Sequence, residues 1–134
     1  MINGSCLCGK VKFEISGEPY SLSYCHCSRC RKAAGVFSAV LIGQADDLLI
    51  TAGHDEIAKF KSGAESKFER CFCKECGTSL GDMAAGDVYV IAASALDDDP
   101  KIRPILHIHT SSKPKWYEIV DDLKTFEGDY ISEN

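Results

Sequence analysis

The chain has 134 residues, of which 45% are hydrophobic and 26% charged, and its formal net charge at pH 7 is −5. This length fits one domain over residues 1–134, and the composition excludes the disordered and membrane-spanning classes. The negative charge disfavours nucleic acid as a partner, because phosphate backbones attract basic surfaces.

Short apolar segments recur along the chain and predict a mostly β protein. The clearest is residues 10–16, where Val11, Phe13 and Ile15 alternate with charged side chains, the pattern of a half-buried strand. Further strands are predicted, in chain order, at residues 21–24, 36–42, 47–51, 58–61, 67–72, 88–92, 106–110 and 116–119.

One short helix is predicted over residues 28–34, with Ser28 as its N-cap and Gly35 as its stop. The only basic cluster of the chain lies on this helix, at Arg29, Arg31 and Lys32. Two interpretations stay open for the cluster: it binds an anionic small molecule, or it is a solvated helix face.

The N-terminal residues and the cysteine content indicate a cellular compartment. Residues 1–4 lack the basic and apolar regions of a signal peptide, and the chain has no run of eighteen apolar residues. We therefore expect a cytoplasmic protein that does not bind a membrane. In that reducing compartment, eight cysteines are expected to bind metal rather than to form disulfides.

A first group of cysteines predicts a structural zinc. Cys73 and Cys76 form a C-x-x-C knuckle, followed by Gly77, that directs two sulfurs at one ion. A structural zinc takes four ligands, and Cys6 and Cys8 are the expected partners. Such a zinc would close a long loop and stabilise the fold. The alternative is four free thiols that pack as small hydrophobic side chains.

A second group predicts a metal with an open position. Cys25, Cys27 and Cys30 supply three thiolates within six residues, which leaves the fourth tetrahedral position to water or substrate. This arrangement is typical of a catalytic zinc, and we expect it to be the more labile of the two. The alternative is a second closed site, completed by Cys71 or by a histidine.

The aromatic and imidazole side chains give weaker signals. His26 lies between two expected ligands and is the candidate catalytic residue, as a proton shuttle, because its unperturbed pKa is near neutrality. The alternatives are that it supports the neighbouring metal ligands without touching the metal, or that it is structural, with the ring directed away from the cysteines. His107 and His109 are expected on one face of a strand, where they line a pocket or pack in the core; metal binding is the alternative. Trp116 and Tyr117 are expected to pack in the core.

These motifs together resemble one known family. They are Gly4-Ser5-Cys6-Leu7-Cys8-Gly9-Lys10-Val11, Tyr24-Cys25-His26-Cys27-Ser28-Arg29-Cys30-Arg31-Lys32, Phe72-Cys73-Lys74-Glu75-Cys76-Gly77-Thr78 and Trp116-Tyr117-Glu118-Ile119. In this order they strongly resemble the glutathione-dependent formaldehyde-activating enzymes, a family that also includes centromere protein V. The resemblance runs from about Asn3 to Gly128.

The resemblance implies a fold, two metals and a reaction. The fold is a compact antiparallel β-tent with zinc knuckles and one short helix. The metals are a structural zinc and a labile, catalytic zinc, held respectively by Cys6, Cys8, Cys73 and Cys76 and by Cys25, Cys27 and Cys30. In the named enzymes, formaldehyde condenses with glutathione to S-hydroxymethylglutathione, and the reverse reaction is that of a carbon–sulfur lyase. Arg29, Arg31 and Lys32 would then pair with the glutathione carboxylates.

Three functions therefore stay open. The first is a zinc-dependent carbon–sulfur lyase-like enzyme that acts on a thiol–aldehyde adduct. The second is a non-catalytic zinc-binding module. The third is a thiol redox sensor at the labile zinc site, since metal-site thiols have low pKa values.

Overall fold

The structure is a computed structural model that describes residues 1–130, so the end of the predicted domain, residues 131–134, lies outside the described part. The described residues form eleven strands and one α-helix, with single turns of 3₁₀-helix between some of them. The elements are β1 (Ile2–Ser5), β2 (Lys12–Ile15), β3 (Ser21–Cys25), α1 (Ser28–Ala34), β4 (Ser38–Gln44), β5 (Leu48–Ala52), β6 (Ile57–Lys61), β7 (Glu69–Cys73), β8 (Ser79–Ala85), β9 (Val88–Ala92), β10 (Leu106–Ile108) and β11 (Lys124–Thr125).

The strands form two sheets. A three-stranded sheet has the order β1-β2-β5, and an eight-stranded sheet has the order β11-β10-β3-β4-β9-β8-β7-β6. Pairing is antiparallel except at β10, which runs parallel to both β3 and β11. The prediction of a mostly β fold with one short helix is confirmed.

The main core joins buried residues from strands of both sheets, and these residues alternate along the strands. In β2, Phe13 and Ile15 are buried while Lys12 is exposed, as the period of two requires. Glycine is needed where rings cross a strand closely. A Cβ on Gly4 would lie 2.1 Å from the Phe13 ring, and one on Gly43 would lie 2.2 Å from the Tyr89 hydroxyl. The two aromatic rings therefore occupy the space that side chains would fill.

Three strands were not predicted from the sequence. These are β1, β8 and the two-residue β11. The first contains Asn3-Gly4 and the second Gly81-Asp82, which are residue types depleted in strands. Each lies in a sheet because neighbouring strands pair with it, so tertiary contacts override local preference here.

The predicted strand over residues 116–119 is wrong. Tyr117 instead ends a turn in which its backbone N–H donates to the Pro114 carbonyl, at 3.2 Å. Trp116 is 72% exposed, so the expectation that it packs in the core is also wrong. Tyr117 is partly buried and stacks on the His26 ring, with 6.1 Å between the ring centres.

Candidate metal centres

Four cysteines from two distant turns converge on one point. Cys6 and Cys8 lie in the turn between β1 and β2, and Cys73 and Cys76 lie at the turn that follows β7. All four sulfurs are within 4.8 Å of one another. The Cys6–Cys8 and Cys8–Cys73 sulfur pairs are 3.5 and 3.8 Å apart. Four sulfurs at ~2.3 Å from a tetrahedral zinc are about 3.8 Å apart, so this set fits a closed sulfur site.

The two turns are built alike. The N–H of Gly9 donates to the Cys6 carbonyl and the N–H of Gly77 donates to the Cys73 carbonyl, at 3.0 and 2.8 Å. Both glycines have a positive φ, of 80° and 76°, which reverses the chain behind the cysteines. Near the second turn, hydrogen bonds from the side chain and backbone of Thr78 lower the pKa of the Cys76 thiol to about 5. This sulfur is thereby prepared to bind a cation as thiolate.

Three further cysteines converge where β3 meets the helix. Cys25 is the last residue of β3, Cys27 immediately precedes α1 and Cys30 lies in its first turn. Their sulfurs are within 4.8 Å of one another. The N-cap of α1 is Cys27, not the expected Ser28, because the Cys27 sulfur accepts the Cys30 N–H at 3.3 Å. The cap therefore fixes the Cys27 sulfur relative to the backbone of Cys30.

The thiols of this cluster differ in their pKa values. Hydrogen bonds from Cys25 and Cys30 lower the pKa of the Cys27 thiol, and contacts with Cys27 and Cys30 raise the pKa of the Cys25 thiol. One thiolate is thus stabilised by its neighbours, whereas three adjacent thiolates would repel one another. A divalent cation removes that conflict, and an all-sulfur donor set suits a borderline-soft metal such as Zn²⁺. The group fits a metal with three protein ligands.

A cavity of about 270 Å³ lies beside the three-cysteine cluster. Its wall includes the three cysteines together with Arg29, Arg70 and His109. Arg70 lies on β7, and its guanidinium is 3.6 Å from the Cys30 sulfur and 4.7 Å above the centre of the Phe68 ring. Sequence reasoning missed Arg70, because only the pairing of distant strands brings β7 to this cavity.

The predicted basic cluster divides in the structure. Arg29 lines the cavity, whereas Arg31 and Lys32 are not among the described residues of its wall. All three lie on α1. Arg31 lies two positions from Arg29 and so on another side of the helix, whereas Lys32, three positions from Arg29, lies on the same face one turn further along.

His26 is completely buried and lies outside both sulfur clusters. Its Nε2 is 2.7 Å from Nδ1 of His107, whose Nε2 is 3.0 Å from the carboxylate of Asp121. Burial, aided by the nearby His107, lowers the pKa of His26 to about 4. The expectation that His107 and His109 share a strand face is wrong, because β10 ends at Ile108 and His109 adopts a left-handed conformation with φ 55°.

The eighth cysteine belongs to neither cluster. All eight cysteines are free thiols, and Cys71 is buried in β7 with its sulfur 3.8 Å from the Glu69 carbonyl. Burial raises the pKa of the Cys71 thiol. Among the described residues, the two possible metal-binding groups have four and three cysteines, and neither includes Cys71.

The fold and the clusters define a class: a β protein with one closed four-sulfur centre and one three-sulfur centre beside a cavity. A sequence model described as "Glutathione-dependent formaldehyde-activating enzyme" matches residues 1–112. The chain therefore belongs to the glutathione-dependent formaldehyde-activating enzyme family, as the motifs predicted.

Two relatives agree with this assignment, and a solved structure has a similar fold. A Halomonas elongata protein whose name is that of a glutathione-dependent formaldehyde-activating enzyme is 37% identical over 127 residues. The match covers 89% of this chain and 81% of the Halomonas elongata protein. An uncharacterised lyase of Schizosaccharomyces pombe is 33% identical over 131 residues, covering 96% and 92%. The crystal structure of a Rhodobacter sphaeroides protein superposes with a TM-score of 0.57 at 23% identity, over 76% of this chain and 91% of that one, which supports the fold.

Within residues 1–130, none of the helices has the length and apolar character needed to cross a membrane.

Proposed function

We propose that the protein condenses glutathione with formaldehyde to S-hydroxymethylglutathione, and catalyses the reverse carbon–sulfur lyase reaction, at a zinc held by Cys25, Cys27 and Cys30. The observation that carries the proposal is the convergence of three sulfurs on one wall of a cavity that two arginines also line. The family assignment and the name of the Halomonas elongata relative support the choice of glutathione and formaldehyde.

The reaction forms one bond and transfers one proton. The glutathione sulfur adds to the carbonyl carbon of formaldehyde, and the thiol proton ends on the former carbonyl oxygen. Zinc at the three cysteines would lower the pKa of a thiol that reaches its open position, which supplies a nucleophile at neutral pH. A second zinc at Cys6, Cys8, Cys73 and Cys76 would be structural, because four sulfurs leave no position for substrate.

The arginines are proposed to bind and orient the thiol substrate. Glutathione carries two carboxylates, and Arg29 and Arg70 present guanidinium groups at the cavity that can each bind a carboxylate through two hydrogen bonds. Arg70 also lies near the Cys30 sulfur, so it offsets part of the negative charge of three thiolates. Arg31 and Lys32 would contact only those parts of glutathione that extend beyond the cavity.

His26 stays a candidate for a role in catalysis, but not through contact with substrate. Its ring is buried, is not among the described residues of the cavity wall and is hydrogen-bonded to His107. We propose that it acts through the two cysteines on either side of it in the chain.

The proposal is tested by following adduct formation between glutathione and formaldehyde by NMR, with zinc-loaded protein. The wild type should exceed the uncatalysed rate, and Cys27→Ser should lose the acceleration while its circular dichroism spectrum is unchanged. Cys71→Ser is the matched control, since it removes a buried thiol outside both clusters and should keep the activity. A wild-type protein with two zincs and no acceleration would leave the non-catalytic zinc module as the better interpretation.

A further inference from the structure

Three hydrogen-bonded side chains from distant parts of the sequence form a row that ends beside the three-cysteine cluster. His26 lies between Cys25 and Cys27 in the chain, His107 lies on β10, and Asp121 precedes β11. Both histidines are completely buried, whereas the Asp121 side chain is 41% exposed. The row therefore links the protein surface to the segment that carries two sulfurs.

The direction of the hydrogen bonds follows from the chemistry of the groups. An ionised carboxylate can only accept, so the Nε2–H of His107 donates to Asp121. The Nδ1 of a neutral His107 must then accept, and the Nε2–H of His26 donates to it at 2.7 Å. Both rings are thereby fixed in the same tautomer. The remaining ring nitrogen, Nδ1 of His26, is buried and has no hydrogen-bond partner within residues 1–130.

Backbone pairing holds the same three segments together. The N–H of His26 donates to the Ile108 carbonyl at 3.0 Å, and β10 pairs with β3 so that Ile108 lies opposite Cys25. On its other side β10 pairs with β11, where His107 lies opposite Thr125. The carboxylate of Asp121 is itself oriented, since it also accepts the Leu123 N–H at 3.0 Å. The His26 ring is therefore hydrogen-bonded to side chains whose own backbone or carboxylate is held by further hydrogen bonds.

We propose that Asp121 and His107 are positioning residues, which orient the His26 ring and thereby hold the sulfurs of Cys25 and Cys27 at the spacing that a metal requires. This inference rests on the proposed metal site at Cys25, Cys27 and Cys30. His26 shares a peptide bond with each of these two cysteines and its ring is completely buried, so a ring anchored by its hydrogen bonds also anchors the backbone that carries both sulfurs. Groups that orient metal ligands without touching the metal typically contribute 10–100-fold in metal affinity.

The test uses Asp121→Ala in the full-length, zinc-loaded protein, with release of zinc to a chromogenic chelator as the readout. We expect the dissociation constant of the more labile zinc to rise about 10–100-fold, with the second zinc and the thermal midpoint nearly unchanged. Asp122→Ala is the matched control. It removes the same charge at the next residue, whose exposed side chain makes no hydrogen bond in the described structure, and should behave as wild type. Asp121→Glu should restore most of the affinity, because it returns a carboxylate at an exposed position.

A second measurement separates orientation of the ring from general loosening of the site. Long-range ¹H–¹⁵N spectra should show the Nε2–H tautomer for His26 and His107 in the wild type, and a changed tautomer signal for His107 in Asp121→Ala. Unchanged zinc affinity and unchanged spectra in Asp121→Ala, with two zincs in the wild type, would overturn the positioning role alone. A wild type that holds only one zinc would overturn the metal site and, with it, this inference.

Discussion

The two cysteine clusters differ in how the chain assembles them. The four-cysteine cluster joins two turns that are far apart in sequence, and Cys6 and Cys73 are members of the main hydrophobic core. The three-cysteine cluster comes from one short segment, residues 25–30, and packs with Val40 in a separate small cluster. The first cluster is therefore joined to the main core through two of its cysteines, although Cys8 is exposed, whereas the second lies at the end of a strand.

We therefore expect the four-cysteine cluster to stabilise the fold and the three-cysteine cluster to take part in the reaction. A metal that joined Cys8 to Cys73 would close a loop of about half of the chain, and the free energy of its binding would contribute directly to folding. A metal at residues 25–30 closes only a short loop, so the fold gains less from it. It lies beside a cavity instead, where an incoming molecule can reach it. The following predictions test this separation.

Loss of a ligand from the four-cysteine cluster should have the largest effect. Structural zinc binding contributes about 10–16 kcal/mol in small zinc domains, which is comparable to the whole stability of a domain. We therefore expect Cys73→Ser to be mostly unfolded or aggregated, as measured by circular dichroism and by zinc content. Cys71 is on the same strand and is also buried, but it lies outside the cluster. Cys71→Ala should therefore lower the free energy of unfolding by only about 1 kcal/mol. A Cys73→Ser protein with wild-type zinc content and thermal midpoint would contradict the structural assignment.

Mild chelation should distinguish the two clusters in the wild type. We expect a chelator of moderate affinity to remove about one zinc while the circular dichroism spectrum stays native, because the three-cysteine site offers one protein ligand fewer than the four-cysteine site. Metal analysis after gel filtration gives the stoichiometry. X-ray absorption of the untreated protein should show, on average, fewer than four sulfurs per zinc. Four sulfurs at both sites, or simultaneous loss of both metals with unfolding, would show that the clusters are not separable.

Removal of a cavity arginine should have the smallest effect and should act on substrate affinity. A hydrogen bond between two charged groups contributes about 1.5–3 kcal/mol, so Arg70→Ala should raise KM for glutathione about 10-fold or more. Its thermal midpoint should change little, because the arginine lies at the cavity wall. Lys32→Ala, which removes a charge outside that wall, should change KM less than about twofold. Equal KM values for the two variants would remove Arg70 from the proposed substrate site.

Local signals were sufficient for some elements and insufficient for others. The helix was predicted over its full length, residues 28–34, because a polar N-terminal residue and a terminal glycine mark both ends within a few positions. Its cap was assigned one residue too late, since a cysteine sulfur accepts the bond expected of a serine hydroxyl. The strand over residues 116–119 was wrong because aromatic and β-branched residues favour strands only when a neighbouring strand is there to pair with them.

By itself, the sequence determined the chemistry of the two clusters. Within each turn or helix start, the placement of the sulfurs depends on the spacing of neighbouring cysteines and, in the four-cysteine cluster, on the glycine that reverses the chain behind them, and both are local properties. Tertiary structure alone decided what surrounds the three-cysteine cluster: Arg70 beside Cys30, and the row from Asp121 through His107 to His26. These partners lie on β7, on β10 and ahead of β11, and strand pairing brings them together. Hydrophobic periodicity records which face of a strand is buried but not which distant strand covers it, so no local pattern could identify them.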